Sequence, residues 1–365
     1  MIRVIENIEE LSSIKKDCNR LADKIQMPLM RFEWLLNCAK TVSSNEKLFV
    51  IVLFSGENVK AIAPMVLVKK YLSERLEMLG ASLHSEPMSF LYEDEDSLLG
   101  LLQAINNMKK TIFLNGLCSS SLEMIKLEQL HTQQRSLNFV RSGNIPYLPI
   151  TDTWENFQQN VSSSRRSSLR RLKKLAEDNG NVSIEIKCPP AETVDKYLDE
   201  IFELEASGWK KQIGTAMMVN KKLGAFFRNY SREAADLKIL QLCFLRIDGT
   251  AVAAQIGLEY ANRFWILKIG HNEKYAKFSP GILLMNEVIR YSFGKKLDAI
   301  EFLGGNEQWL HIWTDHLHDM ISYRIYHSYV SCFFDFTNAF ANVLLKRVRP
   351  FLYIKWNSIG DVPNA

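Results

Sequence analysis

Residues 237–270 read LKILQLCFLRIDGTAVAAQIGLEYANRFWILKIG. Three strand-length runs rich in β-branched and aromatic residues are separated by Asp248-Gly249 and by Tyr260-Ala261-Asn262. Short turn signals between such runs predict an antiparallel meander. The segment that follows, HNEKYAKFSPGILLMNEVIRYSF, begins as a polar loop and ends with the spacing of an amphipathic helix. LDAIEFLGG then returns to strand character. Meander, basic loop, helix and strand in that order restrict this part of the chain to a sheet with a helix on its face, an α/β (α+β) architecture.

The joint between loop and helix is Ser279-Pro280-Gly281. Ser279 suits an N-cap, where its hydroxyl accepts an orphan backbone N–H. Pro280 suits the first helical position, where no hydrogen bond is lost. Gly281 leaves the approach free of a side chain. The N–H groups of Gly281, Ile282 and Leu283 would then face outward at the positive end of the helix dipole, which is an anion site. Lys274 and Lys277 would add charge. A helix start that binds nothing uses the same three residues, and the motif alone leaves both readings open.

A chain of 365 residues exceeds what one core usually serves, so two domains are expected. The first part alternates strands (KLFVIVLF, the return VKAIAPMVLVKKYL, TIFLNGL, RSLNFVRSGNIPYLPI) with helices (DSLLGLLQAINNM, SSSLEMIKLEQLHTQ). After Ile150 comes a capped helix, TDTWENFQQNV, and then the most basic stretch, SSSRRSSLRRLKKLAEDNG. VSIEIK, a helix over Ala191 to Lys211 and another over Met217 to Ala235 lead into the meander. Both halves share this rhythm, which predicts a first domain over 1–150, a second over 151–335 and a helical tail over 336–365.

Hydrophobic residues make up 47% and charged residues 24%, enough for real cores. A net charge of +4 is too mild to call for DNA. The six cysteines form no CxxC pair, so free thiols in a reducing cytoplasm are expected rather than zinc or a disulfide framework. The first residues lack a signal-peptide pattern, and no uncharged apolar run reaches the ~18 residues of a membrane span. NVLLKRVRPFLYIKW near the C-terminus fits a packed terminal helix, with peripheral membrane contact as the alternative.

Several segments resemble the CelD-like GNAT family, which is associated with bacterial cellulose and exopolysaccharide synthesis. They are SRRSSLRRLKKLAEDNG, LEASGWKKQIGTAM, SPGILLMNEVIRYSF and IEFLGGNEQWLHIW, in that order, with VIVLFSGENVKAIAPMVLV in the first half. The resemblance covers nearly the whole chain. It implies two tandem GNAT-like domains, as in the related Fem-type transferases, each a mixed, mostly antiparallel sheet flanked by helices. It further implies that acetyl-CoA or another acyl-CoA serves as co-substrate, without a metal. The pantetheine arm would lie where RFWILKIG and AIEFLGG splay apart. A backbone N–H near Ile269 or Gly270 would polarise the thioester. The pyrophosphate would sit at Ser279, Gly281, Ile282 and Leu283, with Lys277 beside it. On the acceptor side the matching positions are Trp209, Lys210, Glu307 and Trp309. The chain departs from the pattern at His271-Asn272 and at Asn306 and Leu310, where Asp, Asp and Lys are usual.

Amine acylation needs a proton acceptor. Glu205, one turn before Trp209-Lys210, is the first candidate; a solvated or helix-pairing Glu fits the position equally. Glu301 lies inside a strand and either faces substrate or pairs with a Lys or Arg. His271 has a suitable ordinary pKa, and a structural hydrogen bond at a strand end is the alternative. Arg166 and Arg170 on the basic helix suit phosphate contact or a solvated face, while Leu169, Leu172 and Ala176 face the protein. His311, His316 and His318 match no metal spacing and read as a solvated turn. The function expected is N- or O-acylation of a small-molecule or glycan-precursor acceptor: a sugar, a nucleotide-sugar or a polysaccharide precursor. The alternatives are a Fem-type transferase using aminoacyl-tRNA, and a non-catalytic accessory protein of envelope polysaccharide synthesis.

Overall fold

Two sheets organise the chain in the computed structural model, which describes residues 1–70, 73–81, 86–133, 137–207, 217–335 and 337. The strands of the first half are β1 (Ile2–Ile5), β2 (Lys47–Leu48), β3 (Val50–Ser55), β4 (Asn58–Ala63), β5 (Met65–Lys70), β6 (Ser73–Met78), β7 (Leu91–Tyr92), β8 (Thr111–Cys118) and β9 (Leu137–Pro149). Those of the second are β10 (Val182–Lys187), β11 (Leu240–Ile247), β12 (Thr250–Tyr260), β13 (Arg263–His271), β14 (Ala299–Glu301) and β15 (Leu317–Tyr326). One sheet has four strands in the order β1-β3-β4-β7. The other has eleven, β10-β11-β12-β13-β14-β9-β15-β8-β6-β5-β2. Its pairings are antiparallel except β13 with β14 and β6 with β8.

The eleven-stranded sheet runs through both halves, and two strands make the join. β9 pairs with β14 through Pro149, Leu148 and Tyr147, and along its remaining length with β15. β15, the last strand, also pairs with β8. It therefore stands between two strands from the first 150 residues.

The expected meander is present as β11, β12 and β13, with turns at Asp248-Gly249 and Ala261-Asn262. Asp248, Ala261 and Asn262 have positive φ, as tight antiparallel turns require. Other expectations need correction. VKAIAPMVLVKKYL forms two strands in two different sheets, because Pro64 lacks the N–H to continue one ladder. LDAIEFLGG forms only the three-residue β14: Leu303 and Gly304 take φ of 54° and 64° and turn the backbone away. The helix expected to reach Lys211 ends at Ala206, and the one expected from Met217 begins at Lys221 behind an Asn220 cap that accepts from Leu223 N–H. Residues 208–211 lie outside the described residues, as do 338–365 with the basic C-terminal stretch.

Helices cover both faces. The helices Val194–Ala206 and Lys221–Asp236 bury Leu198, Phe202, Phe226 and Tyr230 together with Trp34 and Leu35 of the first half. Trp34 meets Phe226 and Tyr230 edge-on at 4.7 and 4.9 Å. Such pairs contribute roughly 0.5–1.5 kcal/mol beyond area burial, so this contact ties the halves together. On the opposite face the helix Pro280–Gly294 packs Leu284, Val288 and Ile289 against Phe264, Ile266 and Ile300. The basic helix, Ser163–Glu177, adds Leu172 and Ala176 to that core, with Leu169 half-buried.

Candidate active site

β13 and β14 pair at three positions only: Arg263 with Ala299, Phe264 with Ile300 and Trp265 with Glu301. β13 then continues to His271 while β14 stops. Ile266 stands opposite Gly257 and Lys268 opposite Ile256, so Leu267 is an extra residue in the ladder. A bulge of this kind bends its strand, and it falls just where β14 departs. The result is a gap of about 220 Å³ between the strands, bordered by Lys268, Ile269, Leu303 and Gly304. Ile269, Glu307 and Trp309 also border a second cavity of about 410 Å³, which extends past Gly270 and His271 to Ser279, Gly281 and Ile282. Two strands that open beside a helix start are what an extended donor with an anionic end needs.

The helix start itself differs from the expected cap. Ser279 makes no side-chain capping bond and adopts a left-handed conformation, φ 47° and ψ 56°. Its carbonyl accepts the N–H groups of Ile282 and Leu283 at 3.0 and 3.2 Å. Those two N–H groups are thus already engaged, and Leu283 is buried in the core. Gly281 N–H has no hydrogen-bond partner among the described residues. The anion cradle is therefore centred on Gly281. A side chain added at Gly281 would approach His271 Nδ1 at 3.7 Å, an ordinary contact. Lys277 Nζ reaches Asn179 at 3.4 Å.

Around this cavity, sequence reasoning found several residues and missed one. Gly270 lies so close to the helix Val194–Ala206 that a Cβ there would stand 2.9 Å from Glu205 N. Ser207 Oγ donates to His271 O at 2.9 Å, which locks the end of β13 to the same helix. Glu205 borders the cavity, is buried, and accepts Met217 N–H at 2.8 Å. Asn272, one of the departures, caps the following turn by accepting Lys274 N–H at 3.0 Å; a carboxylate oxygen would serve there equally well. His271 is exposed, with Nε2 at 3.6 Å from Glu273. Glu307 accepts from Trp309 Nε1. The missed residue is Gln255, 1% exposed, which borders the cavity and whose Oε1 has no hydrogen-bond partner among the described residues. A buried amide oxygen without a partner costs about 1–3 kcal/mol, and a ligand N–H would satisfy it. The available signal was one amide inside the apolar run AVAAQIGL.

Glu301, Arg166 and Arg170 are not at this cavity. Glu301 is 3% exposed and held by Arg263 at 2.6 Å and His318 Nε2 at 3.0 Å. His318 stacks on Tyr147 at 4.0 Å, so it is not part of a solvated turn. Glu301, Arg263 and His318 border a different cavity, shared with Tyr92 and Glu123. Arg166 donates to the carbonyls of Gln158 and Gln159, closing the end of the preceding helix. Arg170 and Lys173 flank a separate groove with Arg290. Trp209 and Lys210 lie outside the described residues. Among the described residues no cluster of three potential metal ligands occurs, and no helix is long and apolar enough to cross a membrane.

One further group comes from the first half. Glu86 borders the gap between β13 and β14, and its Oε2 is buried without a hydrogen-bond partner among the described residues. Burial pushes its carboxyl above the usual range, against the opposing pull of Lys268 and of the Gly304 N–H bonded to it.

Residues 163–310 match the family model described as an acetyltransferase (GNAT) domain. No curated protein matches the sequence. The fold is similar to the C-terminal domain described as that of a lysylphosphatidylglycerol synthetase from Agrobacterium fabrum, with TM-score 0.56 and 10% identity over 91% of this chain and 96% of that one. It is also similar to FemX, TM-score 0.54 and 11% identity over 88% and 96%. L-PGS from Bacillus licheniformis has TM-score 0.54 and 11% identity over 88% and 93%. At such identities these structures share the fold. Sheets flanked by helices, with an acetyltransferase match across the opened strand pair, make an acyltransferase-like GNAT fold.

Proposed function

We propose that the protein transfers an acyl group from acetyl-CoA or another acyl-CoA to an amine or hydroxyl of a sugar, nucleotide-sugar or polysaccharide precursor. The observation that carries the reading is the opening of β13 from β14 beside Gly281. The donor's pantetheine arm would run along β13, with one amide N–H within reach of Gln255 Oε1, and its pyrophosphate would meet Gly281 N–H and the dipole of the Pro280–Gly294 helix. Bound there, the donor supplies an activated carbonyl. The chain's part is to hold and orient it beside Ile269 and Gly270 and to manage the acceptor's proton. The resemblance to the CelD-like family supports a glycan-precursor acceptor. The compartment proposed is the cytoplasm, where acyl-CoA is made.

Isothermal titration with acetyl-CoA tests this. The wild type is expected to bind, and Gly281→Glu, which sets a carboxylate against the phosphates, is expected to weaken binding at least about tenfold, or 1.4 kcal/mol. Absence of wild-type binding, or equal binding by the variant, would count against the proposal.

A second reading, transfer of an aminoacyl group, has one observation in its favour: the likeness to FemX and L-PGS runs through both halves. It requires tRNA binding that weakens steeply with salt; filter binding at low salt that detects none would remove it.

A further inference from the structure

We infer that Glu86 takes the proton from an amine acceptor that enters on the side of the β13–β14 gap opposite the donor. The inference rests on the acyl-transfer reading and adds to it the base, the side of entry and the chemistry of the acceptor.

Glu86 stands where two spaces meet. One is the gap between β13 and β14; the other is a chamber of about 740 Å³ between the halves, bordered by Asn115, Asn144, Asn306 and Ser322. Gly304 and Gly305 border both spaces as well. A Cβ on either glycine would meet nothing within 4 Å, so the passage past them is open. Among the residues common to both spaces, Glu86 is the one with a titratable side chain.

Its position is built, because a Cβ on Gly116 would stand 2.8 Å from Glu86 O and Met88 N–H donates to Gly116 O at 2.8 Å. The segment carrying Glu86 is thereby pressed onto β8. The charged or donating groups facing the carboxylate are Lys268 from β13 and Gly304 N–H. The chamber offers amides and a hydroxyl, groups that suit an uncharged, polyhydroxylated body bearing a single amine, as in an amino sugar.

The step balances as follows. Glu86 carboxylate accepts one proton from the acceptor's ammonium. The freed nitrogen pair attacks the thioester carbonyl carbon, a C–N bond forms, and the C–S bond breaks with its electrons on sulfur. The second proton lost by nitrogen neutralises the thiolate. Amide and free thiol leave, and Glu86 returns its proton to solvent. Burial raises the proton affinity of this carboxyl and so brings it closer to the ammonium it serves.

The test uses the whole chain and its Glu86→Gln variant, with acetyl-CoA as donor and D-glucosamine, D-galactosamine and L-lysine as probe amines. Thiol release should fall by at least about 100-fold in the variant, while acetyl-CoA binding by titration calorimetry stays within about threefold. The wild-type rate should rise with pH through a limb above the ordinary carboxylate range, and the variant's residual rate should lack that limb. A third readout needs no substrate. A raised carboxyl pKa means the folded state binds more protons, so Glu86 costs stability as pH rises. Glu86→Gln should therefore melt higher than wild type near about pH 8 and not near about pH 4. A variant as active as wild type, one that keeps the acid limb, or one without the pH-dependent gain in melting temperature would each overturn the assignment. Wild type that fails to bind acetyl-CoA would instead overturn the acyl-transfer reading. Wild type that binds it but releases no thiol with any amine would overturn the amine acceptor and Glu86 with it.

Discussion

Ser279 carries the local cost of the helix start. It sits at φ 47° without a capping bond, so its hydroxyl does not offset the strain. A left-handed L-residue costs on the order of 1 kcal/mol, which glycine avoids. Ser279→Gly is accordingly expected to stabilise the fold by up to about 1 kcal/mol in urea unfolding. A loss of similar size would mean that the hydroxyl does cap the helix. The geometry also explains why Gly281, and not the whole first turn, is the exposed donor: the Ser279 carbonyl already takes the next two N–H groups. This conformation could not be read from Ser-Pro-Gly, since the same tripeptide begins ordinary capped helices.

At the scale of elements, local patterns were legible and their ends were not. The meander followed from Asp248-Gly249 and Tyr260-Ala261-Asn262, and the Pro280–Gly294 helix from its apolar spacing. The gap between β13 and β14 was expected from the resemblance, but the bulge at Leu267 and the turn at Leu303-Gly304 that create it have no sequence period of their own. Glu205 was found because it lies on a helix beside the site in sequence. Glu86 was not, because its neighbours Lys268 and Gly304 follow it by about two hundred residues and only the fold brings them together. Glu301 stood out in sequence because a charge inside a strand needs a reason, either substrate or a Lys or Arg partner; the partner is Arg263, with His318 beside it.

At the scale of the molecule, the last strand determines how the halves depend on each other. β15 lies between β8 and β9, so residues 1–150 alone would leave both strands with unpaired edges. Open edges of that length favour aggregation. A fragment of residues 1–150 is expected to show no cooperative thermal transition by circular dichroism, whereas the full chain does; a sigmoidal melt of the fragment would contradict this dependence. The same joining brings Glu86 from the first half against the donor gap of the second.

The most direct test of the account is a crystal structure of the chain grown with coenzyme A. The account predicts the pantetheine arm between β13 and β14 and a pyrophosphate oxygen at hydrogen-bond distance, about 3 Å, from Gly281 N, with the thiol directed toward Glu86. Coenzyme A bound elsewhere, in the Arg170–Arg290 groove or beside Glu301, would contradict it.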